Sequence, residues 1–515
     1  MTNDQKLSEL ITQVETVSPM IVDCWQATAI VESLGYTDRI IKAEFDFKDA
    51  LEIGEYIYQH NSNNPPPVIP ESKPRTNWQA TAIAEIYAFV EQFSRSFVYA
   101  IPLISLLALG NIEASDTWKF IPPQLAALFT IATLASLITS GGFVQAIARR
   151  GEFYLGLGLS QQAKRACTSL LGWGMLTSFL LAVLSLWFGF YRSLFPDHYL
   201  IMGTGYYLVL SLLWMLLSML SLLSIWGTPL ALVGLTVLYW VFRLLAGMAP
   251  LEAQMIAIFV ILVVLSVAIY LLFHQRKEDD PDGVNVQLPS LSATVYLLAP
   301  FFAYGITYFC FIFADRLVAG WAVDNASGLI FAIDSAYQRG MDLALLNFLL
   351  AVPLSEYLAY KLINYWYKQA KVVSYENMAV LSQELKRRYW LLVGITLFFA
   401  AVLVTFTIGF PTPQPWAIDN ITLSWLGCLG YLLLVLALLN SVILFSLNLA
   451  SSAIASLFPS LIINLTVGYI AANAIAPDWA VSGLLIGSVV FLVLSQRQVI
   501  RAINNPDYAY YLGGY

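Results

Sequence analysis

The sequence predicts an all-α polytopic membrane protein with about twelve transmembrane helices in two six-helix lobes, preceded by a small helical cytoplasmic region. Three observations lead to this fold class. The 515 residues are 59% hydrophobic and 11% charged, more apolar than a soluble domain of this size can bury. Apolar stretches long enough to cross a hydrocarbon core of roughly 30 Å recur from residue 95 onward. A polar segment near the middle of the chain divides them into two groups of six.

The first ninety residues are polar and acidic. Residues 1–60 are predicted to form short helices, because apolar side chains such as Leu7, Leu10 and Val14 recur at helical spacing. Residues 61–77 are rich in Pro and Asn and are typical of a stiff, extended linker. The start of the chain lacks the basic and apolar segments of a signal peptide, which predicts a cytoplasmic N-terminal region.

An identical hexapeptide occurs twice in this region, as Trp25-Gln26-Ala27-Thr28-Ala29-Ile30 and as Trp78-Gln79-Ala80-Thr81-Ala82-Ile83. Such a repeat indicates duplication of a short helical unit. It either forms a docking surface for a cytoplasmic partner or packs against the membrane region. The pattern over residues 78–97 is amphipathic and predicts a helix at the membrane surface.

The predicted spans follow in order. The N-lobe, with the amphipathic helix, covers 78–273, and its spans lie near 95–112, 121–147, 166–191, 201–224, 226–247 and 251–273. A polar inter-lobe loop occupies 274–293. The C-lobe covers 294–500, with spans near 294–320, 338–365, 388–410, 421–447, 450–473 and 478–496, before a cytoplasmic tail at 501–515. The fourth and fifth spans could instead form one broken helix pair.

The distribution of basic residues predicts the orientation of the chain in the membrane. Basic residues concentrate after the second, sixth, eighth and twelfth spans, as in Arg149, Arg276, Lys368 and Arg497. The positive-inside rule therefore places both termini in the cytoplasm, which makes the protein a multi-pass inner (plasma) membrane protein surrounded by lipid. Two parallel halves of six spans are typical of alternating-access transporters with a cavity between the lobes.

The strongest functional candidates are Asp315 and Arg316, adjacent in the apolar run 294–320. Ionisable residues within spans are costly, so they usually serve a substrate or an ion. Neighbours on a helix point about 100° apart, and each side chain is expected to meet a partner on another helix or a wet cavity. The alternative is a pair at the outer end of the span, with Arg316 extending to the headgroups.

Four further charged or proline positions are candidates. Arg243, late in the fifth span, is a possible counter-charge for an anionic sugar or lipid pyrophosphate, or an interfacial arginine. Glu356 follows Pro353, which can bend the eighth span; alternatively Glu356 is solvated at cytoplasmic depth. Asp342 is expected, with its neighbours, to shape the outer mouth.

Glycine and tyrosine pairs complete the candidates. Gly141 and Gly142, late in the second span, permit either a hinge or close helix packing. Tyr304 and Tyr308 can stack on sugars, although tyrosines also form membrane belts.

Catalytic and metal-binding patterns are missing from the sequence. The four cysteines and three histidines are scattered, and we find no Ser-His-Asp grouping and no pair of catalytic carboxylates. We therefore expect no enzyme activity, no metal and no cofactor. The net charge of -7 argues against nucleic acid as a partner.

Three stretches resemble a known family: Gly141-Gly142-Phe143-Val144-Gln145 through Arg149, Tyr304-Gly305 through Asp315-Arg316, and Met341-Asp342-Leu343 through Pro353. Together with the hydropathy plan over about 95–500, they resemble the MATE/Wzx/MurJ-like (MOP) flippase superfamily, in particular the membrane subunit of the Pel exopolysaccharide exporter. The resemblance implies two lobes that move a polysaccharide or lipid-linked saccharide across the inner membrane.

The leading hypothesis is thus an alternating-access exporter of an exopolysaccharide or lipid-linked saccharide, driven by a proton or ion gradient with Asp315 as the titrating carboxylate. A polytopic glycosyltransferase or ligase is one alternative. A non-transporting scaffold of a polysaccharide-synthesis complex is another. A cytoplasmic synthase or glycosyltransferase is a possible partner in each case.

Overall fold

The computed structural model describes residues 3–18, 21, 23–45, 47–60, 83, 86–87, 89–90, 123–278, 289–322, 335–370, 372–373, 377–409 and 421–512. No β-strand occurs among these residues. The predicted first span, the linker 61–77, most of the second hexapeptide and most of the inter-lobe loop lie outside the described residues.

Four short helices come first: α1 (Asn3–Val17), α2 (Cys24–Ser33), α3 (Asp38–Glu44) and α4 (Ala50–His60). The N-lobe follows with α5 (Pro123–Gly156), α6 (Ser160–Arg192), α7 (Asp197–Leu223), α8 (Gly227–Trp240) and α9 (Pro250–Glu278). The C-lobe contains α10 (Leu291–Ala322), α11 (Ser335–Ala370), α12 (Met378–Gly409), α13 (Ile421–Ser446), α14 (Ala450–Ala474) and α15 (Val481–Asn504), and α16 (Pro506–Leu512) ends the described chain. A π-helical turn, Val241–Leu245, extends α8, and a 3-10 turn, Pro477–Ala480, precedes α15.

Eleven helices in the described ranges are long and apolar enough to cross a membrane. They correspond to the second through twelfth predicted spans, which confirms the all-α polytopic fold class. The fourth and fifth spans are two separate helices, Asp197–Leu223 and Gly227–Leu245, because the chain turns at 224–226.

The chain forms two compact units. The smaller unit comprises 1–87, 360–391 and 500–515. Its N-terminal helices bury a small apolar core, in which Leu10, Val14, Ile41, Ile53 and Ile57 are almost completely inaccessible. Elsewhere in this unit, the buried Trp366 indole donates a hydrogen bond to the Pro506 carbonyl at 3.3 Å and so holds the start of α16.

The larger unit comprises 88–359 and 392–499 and contains the core of both lobes. In the N-lobe α7 is the central helix, and α5, α6, α8 and α9 pack around it. In the C-lobe α10 packs against α14. Helices α5 and α10 also pack against each other, so the two lobes meet along this pair.

Candidate functional site

A buried ionic cluster joins α10 to the start of α11. The Arg316 guanidinium donates from Nη1 to Asp342 Oδ1 at 2.7 Å and to Gln338 Oε1 at 2.8 Å. The Tyr337 hydroxyl donates to Asp315 Oδ2 at 2.9 Å. The adjacent acid and base thus meet different partners on α11, as their angular separation on a helix predicts.

The charges in this cluster do not balance one for one. It holds one guanidinium, Arg316, and two carboxylates, and the guanidinium pairs with Asp342. Asp315 is completely buried, and its Oδ1 atom has no hydrogen-bond partner in the described structure. An ionised carboxylate in such a place is expensive unless a proton or a cation neutralises it. This chemistry suits reversible binding of a proton or a small cation.

The cluster lies near one end of the spans. Asp315 is about two helical turns before α10 ends at Ala322, and Tyr337 is in the first turn of α11. The predicted topology makes this the outer end. The alternative of an arginine extending to the headgroups is wrong for this structure, because Arg316 is only 8% exposed and is ion-paired within the protein. Asp334 and the Arg339 side chain lie outside the described residues.

An aromatic column continues along α10 from the cluster toward the helix start. The rings of Tyr304 and Tyr308 stack with centroids 5.8 Å apart, and Phe445 on α13 packs edge-on against Tyr304 at 4.6 Å. The Tyr304 hydroxyl is buried without a hydrogen-bond partner within 3.5 Å among the described residues. Glu356 on α11 is half-buried. Tyr304, Tyr308 and Phe445 therefore form one aromatic group.

The predicted hinge glycines mark the crossing of the two lobes. A Cβ atom on Gly141 would lie 2.4 Å from the Phe309 ring and 2.9 Å from the Gly305 carbonyl oxygen. A Cβ atom on Gly305 would lie only 2.3 Å from the Gly141 carbonyl oxygen. Gly142 is similarly close to Phe302. Glycine is required here because α5 and α10 touch through their backbones.

A polar contact reinforces this crossing about two turns further along α5. The Arg149 guanidinium donates from Nη2 to Asn448 Oδ1 at 2.9 Å and lies over the Phe301 ring at 5.2 Å from its centroid. Asn448 is in the left-handed conformation, with φ of 58°, in the tight connection between α13 and α14. Except for Phe309, just past the middle of α10, the α5 and α10 residues in these inter-lobe contacts lie in the halves of those helices that are predicted to face the cytoplasm. The lobes are thus in contact on that side.

The remaining predicted residues lie apart from the cluster. Arg243 is in the π-helical turn after α8, where its Nη1 donates to the Met248 carbonyl at 2.9 Å. Pro353 is buried inside α11, which continues through it. Sequence reasoning missed the roles of Tyr337 and Asn448. A polar residue between two apolar helices was the signal available for Asn448.

The two-lobed arrangement of apolar helices is that of a membrane transporter fold, and solved structures identify which one. The chain is similar to a multidrug resistance MATE family transporter of the MOP superfamily in its outward-facing conformation, with a TM-score of 0.55 and 14% identity over 82% of this chain and 96% of that one. It is also similar to the eukaryotic MATE transporter AtDTX14, with a TM-score of 0.52 and 13% identity over 83% and 99% of the two chains. A third similar structure is a mutant of the Vibrio cholerae MATE transporter VcmN. It has a TM-score of 0.53 and 13% identity over 82% of this chain and 99% of that one.

At these identities the likeness establishes the fold, and the chain has the MATE transporter fold. The fold expected from the MOP superfamily resemblance is confirmed. No protein-family model matches the sequence, and no curated protein matches it.

Proposed function

We propose that this protein is a MOP-type membrane exporter or flippase in which Asp315 couples transport to a proton or cation gradient. The observation that carries the proposal is the completely buried Asp315 carboxylate with one unpartnered oxygen, beside an arginine already paired with Asp342. Binding a proton or cation at Asp315 would neutralise the cluster, and release would restore its charge. The transporter fold of the solved structures supports this function over an enzyme.

The coupling site can act on the lobes through α10. The same helix carries Asp315, the tyrosine column and the Gly305 contact with the N-lobe. A change of charge at Asp315 alters its bond with Tyr337 and hence the packing between α10 and α11. Because α10 is also the helix that meets α5, such a change can bias the lobes toward opening or closing.

The proposed cargo is an exopolysaccharide or a lipid-linked saccharide. The sequence resemblance to the Pel membrane subunit supports it. Of the stacked tyrosine pair, Tyr308 is the more accessible ring and the one that could pack on a sugar, because Tyr304 is 2% exposed. A polysaccharide synthase or glycosyltransferase on the cytoplasmic side is the matching partner. With both termini in the cytoplasm, the inter-lobe contact through Arg149 and Asn448 would make this the state closed to the cytoplasm.

The experiment compares Asp315→Asn with Asp197→Asn, the same chemical change at an exposed carboxylate at the start of α7. Cells lacking the native protein are complemented with each variant, and secreted polysaccharide and membrane-inserted protein are both quantified. Asp315→Asn is expected to reduce secretion at least about ten-fold at equal protein level, because removing one ionisable group abolishes the charge cycle. Asp197→Asn is expected to secrete normally. Normal secretion by Asp315→Asn would refute the coupling role.

A further inference from the structure

We propose that the N-terminal unit contains a groove specific for the repeated hexapeptide, and that the second copy of the hexapeptide exchanges with the first in this groove within one chain. The groove, called here the repeat-binding groove, is formed by Asp38 at the start of α3 and by Asp49, Ala50, Leu51, Ile53, Gly54 and Ile57 in and just before α4. In this structure the first copy, on α2, packs against these residues and forms the opposite wall of an open cavity of about 400 Å³.

One stripe of α2 contributes to the unit's core. Ala27 and Val31 are completely buried and Ile30 is 9% exposed, in the same core as Ile53 and Ile57 of α4. These α2 residues are spaced three and four apart, so they form one helical face.

A second stripe of α2 lies along the side of the groove. Trp25, Thr28, Ala29 and Glu32 line it at helical spacing, opposite residues of α3 and α4. Between them, the two stripes include five of the six hexapeptide positions. The remaining residue, Gln26, donates a side-chain hydrogen bond to Ser18 at 3.3 Å.

Gly54 makes the groove selective for the residue at position 28. A Cβ atom on Gly54 would lie 2.1 Å from Thr28 Oγ1 and 2.9 Å from the Thr28 backbone nitrogen. Helices α2 and α4 can therefore approach this closely only because one of them carries glycine. A helix with a small residue at this position fits, and a larger side chain would push the helices apart.

The second copy repeats more than the hexapeptide. Asp23 caps α2 by accepting a hydrogen bond from the Gln26 backbone at 2.8 Å, and Thr76, also a favoured N-cap residue, occupies the matching position before Trp78. After the hexapeptide, both copies continue with a small or β-branched apolar residue and then a glutamate, Glu32 and Glu85. The second copy thus supplies the cap, both stripes and the glutamate.

The last residue of the second copy is exposed where the first copy buries its counterpart. Ile83, the counterpart of the buried Ile30, is 67% exposed, and Ile86 and Tyr87 are 62% and 71% exposed. Seating the second copy in the groove would bury Ile83 at the Ile30 position. The seventeen residues of 61–77 can span roughly 50 Å when extended, ample to bring Trp78 back to α4. Exchange would link the N-terminal unit directly to the first predicted span.

Disulfide trapping in the full-length protein in native membranes tests this exchange. The four native cysteines are replaced by serine, and Leu51→Cys is combined with Ala29→Cys to report the first copy or with Ala82→Cys to report the second. After mild oxidation, linked peptides are quantified by mass spectrometry. Both links are expected, and adding Ala27→Glu, which places a charge in the buried stripe, should raise the 51–82 link about ten-fold or more.

Matched variants decide the outcome even if Ala27→Glu disturbs the unit. Ile83→Glu leaves the first copy untouched and should abolish the 51–82 link. Ala80→Cys, which lies about 160° around the helix from Ala82, should link to position 51 far less than Ala82→Cys. A 51–82 link absent with and without Ala27→Glu would overturn the proposal. The same trapping is repeated with two differently tagged copies of the protein in one membrane. A 51–82 link found only between the two tagged copies would also overturn the proposal, in favour of a swap between molecules.

Discussion

Replacing one partner of the ion pair between α10 and α11 should destabilise the larger unit by a predictable amount. Arg316 and Asp342 are 2.7 Å apart, and their side chains are 9% and 25% exposed. Removing one partner of a fully buried pair costs about 3–5 kcal/mol, because the other charge remains uncompensated. Asp342 is partly exposed and Asp315 remains beside Arg316 as a second negative charge, so we expect about 2–3 kcal/mol for Asp342→Asn.

The measurement is a double-mutant cycle by equilibrium unfolding in mixed detergent micelles. The cycle comprises Asp342→Asn, Arg316→Met, the double variant and the wild type. We expect a coupling energy of about 2 kcal/mol, with the double variant less destabilised than the sum of the single ones. The exposed pair Lys6–Glu44, at 3.1 Å with side chains 37% and 44% exposed, is the matched control and should couple by less than about 1 kcal/mol. Equal coupling energies for the two pairs would show that burial of Arg316 does not strengthen its interaction with Asp342.

Three further outcomes are expected. Gly305→Ala should separate the lobes and abolish transport, because its Cβ atom would lie 2.3 Å from a carbonyl oxygen of α5; Gly394→Ala, in open space, should transport normally. Asn448→Gly, which keeps the left-handed backbone but removes the acceptor for Arg149, should weaken the inter-lobe contact by about 1 kcal/mol. In Asn448→Gly, spin labels at the exposed positions 157 and 451 should then show a larger population of long label-to-label distances. In Asn448→Asp the same label-to-label distances should be shorter. Unchanged distance distributions in both variants would refute the role of Asn448 in the inter-lobe contact. Trp366→Phe should loosen α16 by about 1 kcal/mol through loss of its bond to the Pro506 carbonyl, seen as faster amide exchange in α16 and not elsewhere.

The fold class was predictable because the sequence features that indicate it, the length and hydropathy of each span, are local. Span length and hydropathy predicted each of the eleven described membrane helices, and the chain break at 224–226 separates the helix pair that sequence alone left open. The lateral arrangement of the helices was not predictable in this way. Membrane helices associate through shape and small residues rather than through hydrophobicity, so the pattern does not specify neighbours.

The candidate site shows the same limit. Asp315 and Arg316 could be singled out because charge is costly in a span, and the expectation of separate partners follows from helix geometry. Tyr337, the partner of Asp315, could not be chosen among the 28 tyrosines in the sequence. Gly141 and Gly142 were equally compatible with a hinge and with packing. Only the position of Gly305 on the facing helix shows that the first of these glycines lies at a backbone-to-backbone contact.

The glycines where α5 crosses α10 have a mechanical consequence. At Gly141 and Gly305 the two backbones touch, the Phe309 ring packs against Gly141, and the hydrogen bonds of each helix stay within that helix. Sliding at this glycine contact changes mainly dispersion contacts, which are individually weak and regained on return. A rocking motion between the bundles would then face a low barrier at its pivot, and directional control would fall to the charged groups at the two ends of α10.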